Sequence, residues 1–277
     1  MFQYEFMRLA LGAGLLLSII IPLVGSTNVY KRLSMSGDAL AHTSLAGVAV
    51  GLASGLSPLV LSIAFCVGAF LVIEILRKRF PRFSELGVAV VLSLGIGVAG
   101  IASSFASSAN FDAYLFGSIL LIGWEEIIWV LALFIAVIAF YSVFYWSVFA
   151  VVYDEEEAKI AGLKVNAINY VQSLLTALTI AISAKIIGSL IVSSLLVVPV
   201  ASALSFNVGY RKTMIWSIVF SFVSMMVGLT LSFYFSLRPG AAIVIVSIVF
   251  LVLSFSVQFF VKTLRIRYFS KGKPRDK

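Results

Sequence analysis

The sequence predicts an all-α, polytopic integral membrane protein with about nine transmembrane helices. Of its 277 residues, 61% are hydrophobic and 12% are charged, and the mean hydropathy is +1.11. Apolar stretches long enough to cross a bilayer recur along the whole chain, which soluble domains of this length do not show. A transmembrane barrel would instead alternate in polarity over segments of about ten residues, and the sequence does not follow that pattern.

Nine apolar runs define the predicted helices. They cover about residues 6–28, 36–54, 57–76, 86–105, 127–150, 166–184, 188–206, 213–236 and 241–262. Eight spans remain an alternative, because Lys185 and Gly188 interrupt the stretch 166–206, which could then be re-entrant. No linker or soluble segment separates the runs, so residues 1–277 are expected to form a single transmembrane domain.

The basic residues predict the orientation of the chain. If the clusters at 31–32, 77–82, 211–212 and the tail 262–277 are cytoplasmic, seventeen of the twenty lysines and arginines fall on that side. This asymmetry is the positive-inside pattern, and it predicts an outside N-terminus and a basic cytoplasmic tail at 262–277. Because topology accounts for these clusters, the net charge of +8 does not require nucleic acid as a partner.

The stretch 111–124 is too short for a clear span and is expected to be a half-helix on the outer side. Asp112 lies in it, and with Glu125 and Glu126 it would either attract a cation to an outer mouth or belong to a solvated loop, which is the favoured interpretation. The lone Cys66 provides neither a disulfide nor a cysteine metal cluster.

Asp38 and His42, the chain's single histidine, are the most informative residues. At i and i+4 on a helix they share one face, so the carboxylate and the imidazole converge. His42 lies ten residues beyond Arg32, about 15 Å along a helix, which is near the middle of a hydrocarbon core about 30 Å thick. Ionisable residues at that depth are costly and mark functional sites. The residue types favour a transition-metal site, with a buried Asp–His hydrogen bond as the structural alternative.

The sequence contains no P-loop for ATP. Residues 95–100 match a dinucleotide fingerprint as a string, but they lie inside a predicted span with no preceding strand. If ATP drives this protein, a separate chain must hydrolyse it, so the chain itself is not expected to be an enzyme.

Residues 153–165 form the most polar internal stretch. Its acidic start and glycine end comprise Asp154, Glu155, Glu156, Glu157, Ala158 and Gly162. Carboxylates are favourable at a helix N-terminus and glycine at its end, so a short surface helix is predicted. From the residues alone, this helix is either a solvated loop element or a coupling helix that docks into an ATPase subunit.

Four stretches resemble the integral-membrane permeases of bacterial zinc and manganese ABC importers. Asp38 and His42 stand in a stretch, 38–49, that looks like the family's Asp-x-Leu-x-His-x-x-Leu-x-Gly-Val-Ala signature. The others resemble the family's Tyr-Leu-Phe-Gly element at 112–117, its coupling loop at 156–162 and its long late motif at 178–203, and residues 238–240 extend the similarity. The order and spacing of these stretches make the resemblance specific.

The resemblance implies a cobalamin-importer-like permease fold in a bacterial cytoplasmic membrane. It implies two permease copies, two cytoplasmic ATP-binding subunits and an extracellular metal-binding protein. It also implies that Asp38 and His42 contact the transported metal and that the loop from Glu155 to Gly162 contacts the ATPase. No permanently bound cofactor is implied, since zinc or manganese is the cargo.

The identity of the metal is open at this stage. Lys185 followed by Ile186-Ile187-Gly188 looks more like the zinc members, so zinc is expected and manganese is the alternative. The lack of a second histidine counts somewhat against zinc. A stand-alone, proton-coupled transporter of divalent cations is a further alternative, and it would need no partner chain.

Overall fold

The computed structural model describes residues 5–80, 84–105, 111, 114–117 and 123–271, and these contain helices and no β-strand. The helices are α1 (Glu5–Tyr30), α2 (Ser34–Ser54), α3 (Pro58–Arg79), α4 (Ser84–Ser103), α5 (Trp124–Tyr153), α6 (Glu155–Ile160), α7 (Val165–Ile187), α8 (Ser189–Leu204), α9 (Tyr210–Phe235) and α10 (Pro239–Lys271). Asp112, parts of the predicted half-helix and the end of the basic tail at 272–277 lie outside the described residues.

Each of the nine predicted runs corresponds to a helix, and the predicted all-α membrane fold is confirmed. In the described part of the chain, seven helices are long and apolar enough to cross a membrane, namely α1, α3, α4, α5, α7, α9 and α10. The other two predicted spans, α2 and α8, are not among these seven, each for its own reason. α2 is less apolar because it carries Asp38 and His42, and α8 has 16 residues, about 24 Å, against a hydrocarbon core of about 30 Å.

The helices run back and forth between two ends of the bundle, called here the Lys31 end and the Gly188 end. At the first, the turn between α1 and α2 meets α6 and the start of α7 through Lys31. At the second, Gly188 lies against Gly117. α8 begins directly after Gly188. α9 begins at Tyr210, whose hydroxyl is 3.0 Å from the Thr27 hydroxyl near the Lys31 end. α8 therefore crosses between the two ends and is not a segment that turns back halfway.

The centre of the bundle is formed by α1 and α8, whose backbones are in direct contact. The ideal position of a Cβ on Gly25 of α1 is 2.1 Å from the carbonyl oxygen of Leu196 on α8. Leu196 itself is fully buried. A hydroxyl cluster fastens α1 to two further helices, since Thr27 Oγ1 lies 2.7 Å from the Tyr141 hydroxyl of α5 and 3.0 Å from that of Tyr210 on α9. Small residues and interhelical hydrogen bonds are the usual means of holding membrane helices together.

The contact at Gly25 predicts a strong asymmetry between two alanine substitutions in α1. Gly25→Ala would force the α1 and α8 backbones apart, and overpacking of this kind costs about 1–3 kcal/mol. Gly12→Ala is the matched control, because no atom lies within 4 Å of the Cβ that it adds. Thermal unfolding of the detergent-purified variants measures the difference. Equal stability of the two variants would contradict the close approach of α1 and α8.

Candidate functional site

Asp38 and His42 come together on α2 as the i, i+4 spacing predicts. His42 Nε2 is 3.9 Å from Asp38 Oδ1, and the exposed fraction is 22% for the His42 side chain and 42% for the Asp38 side chain. The residues around them in α2, including Ala39, Leu40 and Ala41, are buried. A distance of 3.9 Å is too long for a hydrogen bond. The pair thus forms a polar opening in an otherwise enclosed part of the helix, and within the described part of the chain neither His42 Nε2 nor Asp38 Oδ1 has a hydrogen bond that would compete with a common ligand.

The opposite side of α2 is held firmly by α3. A Cβ added to Gly47 would lie 2.5 Å from the Leu61 carbonyl oxygen, and one added to Gly51 would lie 2.7 Å from Pro58 Cα. The hydroxyls of Ser44 and Ser62 are 2.7 Å apart across the same interface. At 3.6 residues per turn, this packing face is about half a turn away from Asp38 and His42. Gly47 and Gly51 therefore serve packing, and this packing fixes the direction in which Asp38 and His42 face.

α4 closes on α2 directly beside His42. A Cβ on Gly95 would lie 3.0 Å from the backbone nitrogen of Thr43 and 3.2 Å from the carbonyl carbon of His42. The glycine-rich string at 95–100 thus has a packing role at its first glycine. The sequence argues against a nucleotide-binding role for this string, but it does not reveal the contact of Gly95 with the backbone of His42. A small residue in a membrane helix signals close packing without identifying the neighbouring helix.

Asp38 and His42 provide two ligand side chains. Among the described residues, no group of three or more His, Cys, Asp or Glu side chains could hold a metal ion. Structural zinc sites use four protein ligands and manganese favours octahedral oxygen-rich sites. An ion at this pair would need further ligands from water or from another chain, which suits brief contact with a moving ion more than permanent retention.

Between His42 and the Gly188 end, the space between α2 and α4 is filled by apolar side chains. Leu45 and Ala46 of α2 form a buried cluster with Ala99 of α4, against which Tyr114 and Leu115 pack. The last two belong to the stretch predicted as an outer half-helix, and residues 114–116 are helical. This cluster separates the Asp38–His42 pair from the Gly188 end.

Three of the stretches that carried the family resemblance interlock at the Gly188 end. Gly117 and Gly188 have positive φ angles of 76° and 105°. A Cβ added to either glycine would collide with backbone atoms of the segment that contains the other. Gly240 packs against the carbonyl oxygen of Ile187, and the Arg238 guanidinium lies 4.3 Å from the centre of the Phe116 ring. Glycine is required here because a side chain would be strained and would also collide with backbone atoms.

Charged residues near the Gly188 end form a specific pair. Lys185 of α7 donates to Glu126 of α5, and the second oxygen of Glu126 accepts from the backbone nitrogen of Gly123 at 2.7 Å. The interpretation of the acidic residues as a solvated loop is therefore wrong for Glu126, because its carboxylate ties two helices together. Asp112, the residue predicted at an outer mouth, is outside the described residues.

The acidic stretch forms the short helix that the sequence predicts. Asp154 caps α6, since its Oδ1 accepts from the backbone nitrogens of Glu156 at 2.8 Å and Glu157 at 3.0 Å. Glu156 also pairs with Lys159 at 2.7 Å. After the helix, Gly162 has a φ of 82° and turns the chain towards α7.

α6 is attached to the bundle by one face and exposes the other. Ala158 is buried, whereas Ile160 is 86% exposed and Tyr153, at the end of α5, is also exposed. An exposed isoleucine beside a row of carboxylates gives this end of the bundle a mixed apolar and acidic surface.

The close contact at Gly95 can be tested at His42 itself. Gly95→Ala is expected to push α4 away from α2, lowering thermal stability and raising the rate at which diethylpyrocarbonate modifies His42. Because the chain has a single histidine, mass spectrometry reads that modification at one site. Gly97→Ala, whose new Cβ has no atom within 4 Å, should leave both quantities unchanged. The same modification rate in both variants would argue against α4 as a wall of the site.

Known proteins resemble this chain over most of its length. The ABC 3 transport family matches residues 3–258. A "Probable metal transport system membrane protein" of Treponema pallidum is 40% identical and covers 91% of this chain and 96% of its own. The zinc uptake system membrane protein ZnuB of Haemophilus influenzae is 29% identical over 91% of this chain and 97% of its own. The manganese transport system membrane protein MntC of Listeria monocytogenes is 28% identical over 91% of both chains.

Two solved structures share the fold. A chain of PsaBC from Streptococcus pneumoniae, solved in complex with a Fab, superposes with a TM-score of 0.81 at 23% identity, covering 91% of each chain. A metal-chelate type ABC transporter in an inward-facing conformation gives a TM-score of 0.68 at 14% identity, covering 91% of this chain and 84% of that one. The arrangement of helices is therefore that of an ABC-transporter permease.

Proposed function

Because the chain belongs to the ABC 3 transport family of metal-transporter permeases, we propose that it forms the membrane pathway of an ATP-driven zinc importer. The observation that carries the proposal is the Asp38–His42 pair, two ligand atoms 3.9 Å apart at an opening in an otherwise buried helix. A separate subunit hydrolyses ATP.

The pair is the proposed point of contact between the ion and the permease. An imidazole and a carboxylate bind first-row metals, and two ligands without a third hold an ion loosely enough to release it. His42 lies eight residues into the 21-residue helix α2, which is near the middle of its length and supports a site deep in the membrane. Transporters commonly place substrate sites at this depth.

Zinc is proposed over manganese on the chemistry of the pair. A site of given nitrogen and oxygen ligands binds zinc more strongly than manganese, and half of this pair is an imidazole. Sequence similarity does not distinguish zinc from manganese as the cargo, since the ZnuB relative is 29% identical to the chain and the MntC relative is 28% identical. Manganese, which the MntC relatives favour, is the second candidate.

Uptake of radioactive zinc and manganese by the complete importer in proteoliposomes tests the pathway. Asp38→Asn and His42→Ala should each lower zinc uptake at least about tenfold, as expected when a ligand that is worth about 1.4 kcal/mol or more is lost. Ser54→Ala, an exposed position at the end of the same helix, is the control. Undiminished uptake in both variants would exclude the pair from the pathway. Uptake by the purified chain alone under a proton gradient would favour the stand-alone alternative.

The Lys31 end is the proposed cytoplasmic side, and α6 is the proposed contact for the ATP-binding subunit. The basic clusters at 31–32 and 77–79 lie at this end, in agreement with the positive-inside rule. α6 offers a capped, exposed helix with Ile160 and the carboxylates of Glu156 and Glu157. An extracellular metal-binding protein would then deliver the ion at the Gly188 end.

A second copy of the chain is proposed to cover the opening at Asp38 and His42. Ionisable side chains facing lipid would cost about 2.5–3.5 kcal/mol each on insertion scales, so a partly exposed pair at this depth calls for a protein or water neighbour. A paired permease would enclose the pair along a shared pathway and could supply the missing ligands.

Copurification measures the α6 contact. Ile160→Glu should reduce recovery of the ATP-binding subunit with the tagged permease by several fold, because a buried apolar contact would be replaced by a charge. Phe80→Glu makes the same change at an exposed apolar residue at the end of α3 and should leave recovery unaltered. Normal recovery with Ile160→Glu would rule out α6 as the contact. The mass of the wild-type complex should correspond to two permeases and two ATP-binding subunits.

A further inference from the structure

Lys31 occupies an unusual position in the turn between α1 and α2. Its side chain is only 9% exposed, and its Nζ donates to Oδ1 of Asn169 on α7 and lies 3.6 Å from Oε1 of Glu155 on α6. Asn169 is itself buried, and its Nδ2 donates to the same Glu155 oxygen at 3.0 Å. The amide thus accepts from the lysine and donates to the glutamate, and the three side chains form one closed network.

The turn that carries Lys31 is hydrogen-bonded both to the end of α1 and to the first turn of α2. Arg32 adopts a left-handed φ of 59°, and the backbone nitrogen of Leu33 donates to the carbonyl of Asn28 at 2.8 Å. Ser36 then donates to the Leu33 carbonyl from its backbone nitrogen at 3.0 Å and from its hydroxyl at 2.6 Å. Asp38 is two residues beyond Ser36. Because Leu33 is bonded to both helices, a displacement of Lys31 acts on the first turn of α2 and on the end of α1.

Glu155 favours the protonated form of Lys31. Burial lowers the pKa of Lys31 from 10.5 to about 8, and Glu155 opposes that lowering. Arg77 of α3 lowers the pKa further and Glu74 of α3 raises it by a smaller amount. A buried ammonium without its partner is strongly unfavourable, so any movement of α6 that withdraws Glu155 must be followed by Lys31 or lose the ion pair.

We propose that the network of Lys31, Asn169 and Glu155 couples the ATPase-docking helix α6 to α2, so that Lys31 is the positioning residue through which ATP hydrolysis moves Asp38 and His42. This inference rests on the proposed function of α6 as the ATPase contact. α6 packs on α5 and α7, and the Glu155–Lys31 pair extends its influence to the helix that carries the metal ligands. A residue with this role affects the ratio of ions moved to ATP hydrolysed, and not the assembly of the complex.

The first test compares variants of the reconstituted importer by the number of zinc ions transported per ATP. Lys31→Met keeps the length of the side chain without its charge, and Asn169→Leu removes the amide that joins Lys31 to Glu155 while keeping a side chain of similar size. Each should leave recovery of the ATP-binding subunit and basal ATP hydrolysis at wild-type levels, while the transport ratio falls about tenfold. Lys212→Met is the matched control, because it removes an exposed lysine at the start of α9, outside the network and outside α6, and it should keep the wild-type ratio.

The second test uses wild-type protein and the pH on the cytoplasmic side. With a Lys31 pKa of about 8, the protonated fraction falls about tenfold between pH 7 and pH 9, and the transport ratio should fall with it. The sign follows from the charge, since the ion pair with Glu155 exists only while Lys31 is protonated. Lys31→Arg is the control, because a guanidinium stays protonated over this range, and its ratio should not change with pH.

The outcomes separate this inference from the proposed function. A wild-type transport ratio in both Lys31→Met and Asn169→Leu overturns the coupling role, and so does a ratio of the wild-type protein that is constant from pH 7 to pH 9. Loss of the ATP-binding subunit from the Lys31→Met complex together with a constant pH profile would show a purely structural contact and also overturn it. The docking of α6 is judged independently, by recovery of the ATP-binding subunit with Ile160→Glu.

Discussion

The burial of α2 is the constraint on which the rest of the structure depends. A helix that carries a carboxylate and an imidazole partitions poorly into lipid, since each ionisable side chain opposes insertion by a few kcal/mol. Its neighbours therefore replace lipid around it: α3 and α4 pack closely on two sides, and α7 and α8 also contact it. What remains partly open is the face of Asp38 and His42. The surrounding helices thus enclose the polar helix and leave the side chains of Asp38 and His42 accessible.

Close backbone contacts make that enclosure rigid. In a bilayer, apolar side chains gain nothing by leaving lipid for a neighbouring helix, so the strength of association comes from van der Waals contact and interhelical hydrogen bonds. Gly47 and Gly95 bring the backbones of α3 and α4 against α2, and Gly25 does the same for α1 and α8. With such contacts, α2 can move only together with its neighbours or by sliding along them.

The two ends of the bundle are fastened by different chemistry. At the Gly188 end, glycines with positive φ interlock loop backbones, and the Lys185–Glu126 pair joins α7 to α5. Such steric contacts have little freedom to change. At the Lys31 end, the short helix α6 is joined to the α1–α2 turn by side chains of opposite charge, a contact that can follow movement and responds to protonation. A fixed end and an adjustable end suit a transporter that must open towards one side at a time.

The sequence alone determined the helical membrane fold, the convergence of Asp38 and His42 and the capped helix α6. These features depend on hydropathy and on residues within one or two turns of each other, so local periodicity is enough to predict them. The tertiary structure decided that α8 crosses the bundle, that Gly95 of α4 packs against the backbone beside His42, and that Lys185 pairs with Glu126 and Lys31 with Glu155. Lys31 and Glu155 are far apart in the sequence, and only the packing of helices selects which charges meet. The same packing determines which side of α2 stays open, because a helix alone has no preferred neighbour.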